Sequence, residues 1–387
     1  MNRRILPFSL VVCGSILAYA CSSSKGNDNP TPNPEGGTSG TSGTSGTSGT
    51  SGTSGTSGTS GTDGSTDAKT DAPVTGNPID GIAAPTAVPG FTAPAVLTAG
   101  PQWHGDGLYF STDVPNGFLI KLTPPSTTDQ VRSVLTPDTT LPLGNAYDAK
   151  NNTLISCEST QGGGGTLVRT PLPTAALPKP AGTPIVLSFD GGAMFDSPKG
   201  IVVNKTSGMI YVTDPGYQGN PVNNHIWRVK PNGLAAGDIF ETSVEGRPNG
   251  IAFSVDQKTL YVSFTEPPAG AQATITKYVL TGADGVIGGG TKFADVGPGG
   301  VPPTIPAGVA LDGIAVDTAG NVYAAVKTGV DVFKADGSAK WGHIPAPAAA
   351  AAHGINGVAF GGADHKTLYM TSDDGMFQVT VKIAGNE

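Results

Sequence analysis

Four polar residues stand directly before a glycine in a short phrase that recurs along the chain. They are Lys199 in "KGIVV", Asn249 in "NGIAF", Asp312 in "DGIAV" and Asn356 in "NGVAF". Together they would supply an ammonium group, a carboxylate and two carboxamides. If the fold brings them together, the set could bind a small ligand, with the carboxylate as a general base. Otherwise the side chains would only satisfy neighbouring backbone groups or hold ordered water.

The same phrase occurs six times, which indicates a repeat architecture. Ala99 in "AGPQW" and Leu143 in "LGNAY" hold the equivalent position in the first two units. A second short strand, such as "IYVT" or "LYVS", is predicted about ten residues after each glycine, and third and fourth strands follow. The glycines are Gly100, Gly144, Gly200, Gly250, Gly313 and Gly357. Six such units predict an all-β fold, a six-bladed β-propeller with four-stranded blades.

A propeller places the first strand of every blade along a central channel. The residue before each glycine would therefore lie in one ring, formed by Ala99, Leu143, Lys199, Asn249, Asp312 and Asn356. The glycines would permit a close approach of neighbouring strands or a positive φ angle. The last unit lacks a fourth strand after "MFQVTV". We therefore expect residues 94–99, "PAVLTA", to complete the sixth blade and close the ring.

Residues 1–20 have the pattern of an export signal peptide. Two arginines precede an apolar run, and small residues lead up to Cys21. The phrase "AYAC" resembles a bacterial lipobox, which predicts a lipid on Cys21 that anchors the protein to the membrane of the cell envelope, with the outer membrane expected. Because "AYA" also fits an ordinary signal peptidase site, plain secretion is the alternative.

Residues 21–84 are predicted to form a flexible linker, and residues 85–387 the propeller. The linker contains eight consecutive "TSG" triplets from Thr38 to Gly61 and has few apolar side chains to bury.

The net charge of -8 and the lack of a Lys/Arg cluster argue against nucleic-acid binding. Cys157, in the apolar phrase "TLISC", is interpreted as a buried apolar residue.

Five phrases in collinear order resemble the senescence marker protein, gluconolactonase and luciferin-regenerating enzyme family. The stretch "AGPQWHGDGLYFSTDVPNGFLIKL" is similar to the family's "EGPxW...LYFSD", and "SPKGIVV...YVTDPGY" to its "SPNDxxV...xxTDPxY". Likewise "RPNGIAFSVDQKTLYVSFT" resembles "RPNGLAFSPDxxTLYVSDT", and "LDGIAVDTAGNVYAA" resembles "PDGxxxDxxGNxxxA". The fifth phrase, "GVAFGGADHKTLYMTS", resembles "xFGGxDxKTLYxT". The resemblance extends from residue 90 to residue 385.

This resemblance implies lactone hydrolysis in the central channel, with a divalent cation, often Ca²⁺, as cofactor. The cation would polarise the lactone carbonyl while a carboxylate activates water. Two of the implied metal ligands, Asn249 and Asp312, are retained. Ala99 replaces the family's glutamate, and Lys199 and Gly200 replace the asparagine and aspartate of its "PND" phrase. Ala99 and Lys199 should weaken cation binding, because a hard cation needs several oxygen ligands.

We therefore expect Lys199 to pair with Asp312 in place of the cation and to hydrogen bond to Asn249 or Asn356. In one alternative Lys199 polarises the carbonyl, with Asp312 as the base. In another, Lys199 points to solvent and Ca²⁺ binds weakly at Asn249 and Asp312. The candidate catalytic residues are Asp312 and Lys199, and the candidate substrate-binding residues are Asn249, Asn356 and Lys199.

A second functional class also fits these residues. The chain could be a surface-tethered propeller that has lost the metal site and binds a small molecule or a partner without catalysis.

Three other residues carry weaker signals. Asp214 in "TDPGY" is interpreted as a turn residue, whereas Glu158, at a strand end, and His353 could reach the channel mouth.

Overall fold

The computed structural model describes residues 76–89, 91, 98–112, 118–124, 127–133, 140–160, 164–172, 183–185, 195–217, 224–232, 238–241, 246–266, 272–282, 285–296 and 311–386. By its contacts the chain divides into Met1–Ala68 and Lys69–Glu387, and all described residues belong to the second unit. The predicted signal peptide and Cys21 lie outside the described residues and stay predictions. Within the described ranges, no helix has the length and apolarity needed to cross a membrane.

The described part of the chain is all-β apart from one short 3₁₀ helix, Ala348–Ala350. In chain order the strands are β1 (Thr86–Ala87), β2 (Thr98–His104), β3 (Gly107–Thr112), β4 (Phe118–Thr123), β5 (Thr127–Ser133), β6 (Thr140–Asp148), β7 (Thr153–Thr160), β8 (Gly165–Pro171), β9 (Thr183–Ile185), β10 (Ile201–Val203), β11 (Ile210–Asp214), β12 (His225–Val229), β13 (Asp238–Glu241), β14 (Arg247–Phe253), β15 (Thr259–Thr265), β16 (Ala273–Thr281), β17 (Val286–Val296), β18 (Ile314–Val316), β19 (Val322–Val326), β20 (Gly329–Phe333), β21 (Lys340–Pro345), β22 (Gly357–Gly361), β23 (Thr367–Ser372) and β24 (Gly375–Thr380).

These strands form six four-stranded antiparallel sheets among the described residues. Sheets one to five each contain four consecutive strands, β2–β5, β6–β9, β10–β13, β14–β17 and β18–β21. Sheet six contains β22, β23 and β24, with β1 at its outer edge. The first strands contact one another in a closed cycle from β2 through β6, β10, β14, β18 and β22 back to β2. This is the arrangement of a β-propeller around a central channel.

The hydrophobic core lies between neighbouring sheets. One cluster joins Tyr211 and Ile226 of sheet three to Leu260 and Val262 of sheet four. Equivalent clusters fill the other spaces, including the one between sheets one and six. The second strand of each sheet packs on both faces and is therefore buried along nearly its whole length. This explains why these strands read as continuous apolar runs in the sequence.

The glycine of the repeated phrase lies where two first strands approach closely. A Cβ atom at Gly144 would overlap the carbonyl oxygen of Lys199 in the next sheet, and one at Gly250 would overlap that of Asp312. Of the six repeat glycines, Gly100 has a positive φ of 58°. Close approach is therefore the feature that the phrase requires in every sheet, and the positive φ angle is confined to the first.

The N-terminal segment closes the ring, but through a different strand from the one predicted. Thr86 and Ala87 of β1 pair with Gln378 and Phe377 of β24, and the next residue, Val88, is buried. The prediction of residues 94–99 was wrong, because Thr98 begins β2, the first strand of sheet one. Closure of the last sheet by a segment that precedes the first is confirmed.

Residues 76–84, which the sequence analysis assigns to the linker, belong to the folded unit. Ile79 and Ile82 pack against the core between sheets five and six. The backbone N–H of Lys382 donates to the carbonyl oxygen of Pro78 at 3.0 Å. The folded unit therefore extends N-terminal of the predicted boundary at residue 85.

Candidate active site

One cavity of about 330 Å³ lies at the end of the channel where the first strands begin. All six positions predicted for the ring line it, namely Ala99, Leu143, Lys199, Asn249, Asp312 and Asn356. The glycine-proximal ends of the first strands thus meet around one space, as the repeat predicts. The predicted site residues come together in this cavity, and their catalytic and binding roles remain predictions.

Lys199 and Asp312 form an ion pair across the cavity. The distance from Lys199 Nζ to Asp312 Oδ2 is 3.2 Å, and the two side chains are 23% and 13% exposed. Lys199 is fixed at its backbone, because its N–H donates to the carbonyl of Thr213 and its carbonyl accepts the N–H of Gly144. The predicted pairing is therefore present. Among the described side chains, Lys199 Nζ hydrogen bonds to Asp312 and not to Asn249 or Asn356, so that part of the expectation is not met.

The surroundings of Asp312 change the pKa of its carboxyl group. Burial raises the pKa of Asp312 above its ordinary value, and the charge of Lys199 and a hydrogen bond from the same ammonium act against this rise. Asp373 adds a smaller repulsive contribution in the upward direction. A buried carboxylate with one positive neighbour and a raised pKa is suited to accept and return a proton.

Asn249 is buried, and its side-chain amide has no hydrogen-bond partner among the described residues. The residue is 1% exposed, and neither Oδ1 nor Nδ2 is bonded. An unpartnered buried amide is costly, typically by about 1–3 kcal/mol. Because Asn249 lines the cavity, a bound ligand or ordered water would supply the missing partner.

Asn356 differs from Asn249 although both precede glycine in nearly identical phrases. Its Oδ1 accepts a hydrogen bond from Thr371 Oγ1 at 2.7 Å, and its Nδ2 donates to Asp373 Oδ1 at 3.0 Å. The Asn356 amide therefore satisfies neighbouring groups, as in the alternative without a ligand, but these groups are side chains and not the backbone groups expected. Binding of substrate by this residue would require one of these bonds to break.

Tyr217 is a site residue that the sequence analysis missed. Its ring lines the cavity, with Lys199 Nζ 5.6 Å and Arg247 Cζ 4.9 Å from the ring centroid. Arg247 in turn donates to the carbonyl oxygens of Pro215 and Gly216 and holds this loop. The signal available in the sequence is the tyrosine of "TDPGY", three residues after Asp214.

Hydroxyl groups on the second strands link the blades below the cavity. Thr213 Oγ1 accepts the N–H of Gly200 and donates to the carbonyl of Asn249 in the next sheet. Ser263 Oγ does the same between Gly250 and the carbonyl of Asp312. The final Thr or Ser of "IYVT" and "LYVS" therefore positions the following ring residue, and its recurrence in the repeat was the signal available in the sequence.

The three weaker candidates are not among the cavity-lining residues of the described structure. Asp214 is 1% exposed, and its carboxylate accepts the N–H groups of Asp196 and Ser197 and the indole N–H of Trp227. This supports its interpretation as a residue that shapes the loop. Glu158 is buried, and His353 is exposed and bonded to Asp374 at 2.8 Å. Cys157 is buried and has a free thiol, as predicted.

The residues that line this cavity do not fit a divalent cation. Among the described residues there is no group of three or more His, Cys, Asp or Glu side chains that could hold a metal. Asp312 supplies a carboxylate and Asn249 an unpartnered carbonyl oxygen, whereas Ala99 supplies no side-chain oxygen. The ammonium group of Lys199 lies 3.2 Å from that carboxylate and would repel a cation there.

A second cavity of about 430 Å³ lies further along the channel. The residue after each repeat glycine lines both cavities and so separates them; these residues are Pro101, Asn145, Ile201, Ile251, Ile314 and Val358. Five of the six are apolar, whereas the ammonium, the carboxylate and the unpartnered amide all face the first cavity. The Lys199–Asp312 pair and the unpartnered amide of Asn249 therefore lie at one end of the channel, whereas His104 and Lys205 line the second cavity.

Comparison with solved structures supports the fold. A gluconolactonase from Xanthomonas campestris superposes with a TM-score of 0.59 at 24% identity, covering 79% of this chain and 91% of that one. A calcium-binding protein, regucalcin, from Agrobacterium tumefaciens gives a TM-score of 0.54 at 17% identity, covering 79% and 95%. At these identities the likeness establishes the shared architecture.

Sequence comparison gives the family. A gluconolactonase of Zymomonas mobilis is 30% identical over 169 residues, covering 40% of this chain and 43% of that protein. The pentonolactonase XacC of Haloferax volcanii is 31% identical over 157 residues, covering 38% and 48%. The chain thus matches less than half the length of these relatives. The model of the SMP-30/Gluconolactonase/LRE-like region, however, matches residues 97–374. The chain therefore belongs to the SMP-30/gluconolactonase/LRE-like family.

Proposed function

We propose that this protein hydrolyses a lactone or a related carboxylic ester in the channel cavity of a six-bladed propeller. The observation that carries the proposal is the placement of the Lys199–Asp312 pair and the unpartnered amide of Asn249 around one cavity. The names of two relatives, a gluconolactonase and a pentonolactonase, support the same substrate class.

The proposed reaction uses three side chains of this chain. Asp312 accepts a proton from water while the water oxygen forms a bond to the lactone carbonyl carbon. Lys199 and the Nδ2 group of Asn249 donate hydrogen bonds to the carbonyl oxygen as it gains negative charge. The ring C–O bond then breaks, and the proton held by Asp312 passes to the leaving alkoxide, which yields the hydroxy acid.

The proposal is tested by measuring acid release from a panel of sugar and alkyl γ- and δ-lactones. Replacing the proton acceptor in Asp312→Asn should lower kcat/KM about 100-fold or more. The matched control is Asp295→Asn, which removes a surface carboxylate paired with Lys292 at 2.8 Å and should leave kcat/KM unchanged. Circular dichroism would verify that both variants are folded.

A second candidate function is ligand binding without catalysis. It is favoured by Ala99, which leaves the ring with fewer oxygen ligands than the family pattern implies. A folded protein that hydrolyses no lactone of the panel, or an Asp312→Asn variant with full activity, would reject the hydrolase proposal. Saturable binding of an intact lactone without turnover would then support the binding function.

A further inference from the structure

The channel cavity contains its own positive charge. Lys199 Nζ lies 3.2 Å from Asp312 Oδ2, and its backbone is held on both sides by bonds to Thr213 and Gly144. The ring of Tyr217 lies 5.6 Å from the same ammonium group and limits the directions in which the side chain can move. The backbone of Lys199 is therefore fixed, and its ammonium group lies close to both Asp312 and the ring of Tyr217.

A divalent cation and this ammonium group would compete for one carboxylate. Ca²⁺ bound to Asp312 would lie about 2.3–2.6 Å from the carboxylate oxygen, and so within about 6 Å of Nζ at its present position. Like charges at that distance strongly disfavour each other in a partly buried site. Conversely, removing the ammonium would leave Asp312 as a buried carboxylate without a counter-ion.

We propose that the Lys199 ammonium replaces the divalent cation of the family, so that the channel site works without metal and becomes a cation site only when Lys199 is removed. Asp312 and the unpartnered Oδ1 of Asn249 already supply part of the oxygen ligands of such a latent site, and water would supply the others. The proposal concerns the occupant of the cavity, and it holds whether or not the cavity hydrolyses lactones.

Ion binding to the purified protein tests this inference by a readout that does not depend on turnover. Calorimetric titration of the wild type with Ca²⁺, Mg²⁺ and Mn²⁺ should show no binding that depends on Asp312. Lys199→Asn should bind Ca²⁺ at least about tenfold more tightly than the wild type, because one neighbouring charge commonly changes ionic affinity by that factor or more. Its Tm should then rise with Ca²⁺ concentration.

Two further variants sharpen the result. Ala99→Glu/Lys199→Asn adds a second carboxylate and should bind Ca²⁺ more tightly than Lys199→Asn alone. Lys258→Asn removes an exposed lysine elsewhere, changes the net charge equally and should behave as the wild type. Wild-type Ca²⁺ binding that Asp312→Asn abolishes would overturn the inference. So would the failure of folded Lys199→Asn and of the double variant to bind any of the three ions.

The lactone assay distinguishes this inference from the proposed function. If the protein hydrolyses lactones, the activity should survive exhaustive treatment with a chelator. Activity that is lost with the chelator and restored by Ca²⁺ would reject the proposal that Lys199 replaces the cation, and it would support the proposal that the protein is a hydrolase. If the protein hydrolyses no lactone and binds Ca²⁺ only after Lys199 is removed, the hydrolase proposal is rejected. The proposal that Lys199 replaces the cation is then supported.

Discussion

At the scale of single residues, Asp214 supports the site from outside the cavity. Its carboxylate accepts the backbone N–H groups of Asp196 and Ser197, immediately before the segment that leads to Lys199. Ser197 Oγ in turn accepts the N–H of Tyr217 at 2.7 Å. One buried carboxylate therefore fixes the approach to two cavity-lining residues.

The protonation of Asp214 should make stability depend on pH. Burial raises the pKa of Asp214 from 3.8 to about 6 against three hydrogen bonds that lower it. Between these values the native state holds more protons than the unfolded state. The contribution of Asp214 to the free energy of unfolding therefore falls as pH rises from about 4 to about 6, by up to about 3 kcal/mol in total.

Asp214→Asn should remove this pH dependence. The amide cannot accept all three hydrogen bonds, so the variant should be less stable than the wild type at pH 4.5. The difference in free energy of unfolding should shrink by about 2 kcal/mol by pH 7.5, where the wild type carries the buried charge. Urea unfolding at both pH values measures the two differences, and equal differences would contradict the raised pKa.

Residue identity alone could not separate the two asparagines of the ring. "NGIAF" and "NGVAF" predict the same strand entrance for Asn249 and Asn356, and the structure confirms that entrance for both. Their amides differ because Thr371 and Asp373 lie beside Asn356, and both belong to another part of sheet six. Which amide remains available to a ligand is decided by these partners and not by the local phrase.

At the scale of elements, the closing strand β1 shows where strand propensity misleads. "PAVLTA" has the apolar, β-branched composition of a strand, whereas β1 contains only Thr86 and Ala87, both exposed. The short strand is held by two cross-strand pairs, by the bond from the Val88 N–H to the Met376 carbonyl, and by burial of Val88. Its position depends on tertiary contacts that local propensity does not encode.

Removing the closing segment should destabilise the whole domain. Deletion of residues 76–89 removes β1, Val88 and the apolar contacts of Ile79 and Ile82, and it exposes the edge of β24. We expect the free energy of unfolding to fall by at least about 3 kcal/mol. Deletion of residues 38–61, the "TSG" triplets, is the matched control. Identical urea midpoints for both deletions would show that the ring does not depend on this segment.

At the scale of the whole molecule, the six first strands pack closely enough that glycine is needed between them. Gly250→Ala would place a methyl group against the carbonyl of Asp312, the residue proposed as the base. We expect this overpacking to cost about 1–3 kcal/mol and to lower lactone hydrolysis by displacing Asp312. Gly289→Ala, where a Cβ meets nothing within 4 Å, is the control. Thermal unfolding that is unchanged in Gly250→Ala would argue against the close approach.

The architecture and the ring were more predictable than the contacts within the ring. The repeat alone placed Lys199, Asn249, Asp312 and Asn356 around one cavity, because equivalent positions of equivalent blades must face the same axis. The repeat did not predict Tyr217 as a site residue, because Tyr217 lies on a loop after β11 and reaches the cavity only through the fold of that loop. Periodic signals predict strands well, whereas contributions from loops are not repeated and leave no period to detect.

The pairing of β1 with β24 also affects the order in which the protein can complete its structure during synthesis. β1 leaves the ribosome before the other strands of the described structure, but its partner β24 is made almost a whole domain later. The nascent chain can therefore form sheets one to five while the ring stays open, and the ring closes only once β24 has been made. Late closure of the ring is compatible with the export predicted from residues 1–20, because a chain whose ring is still open can be unfolded for translocation across a membrane.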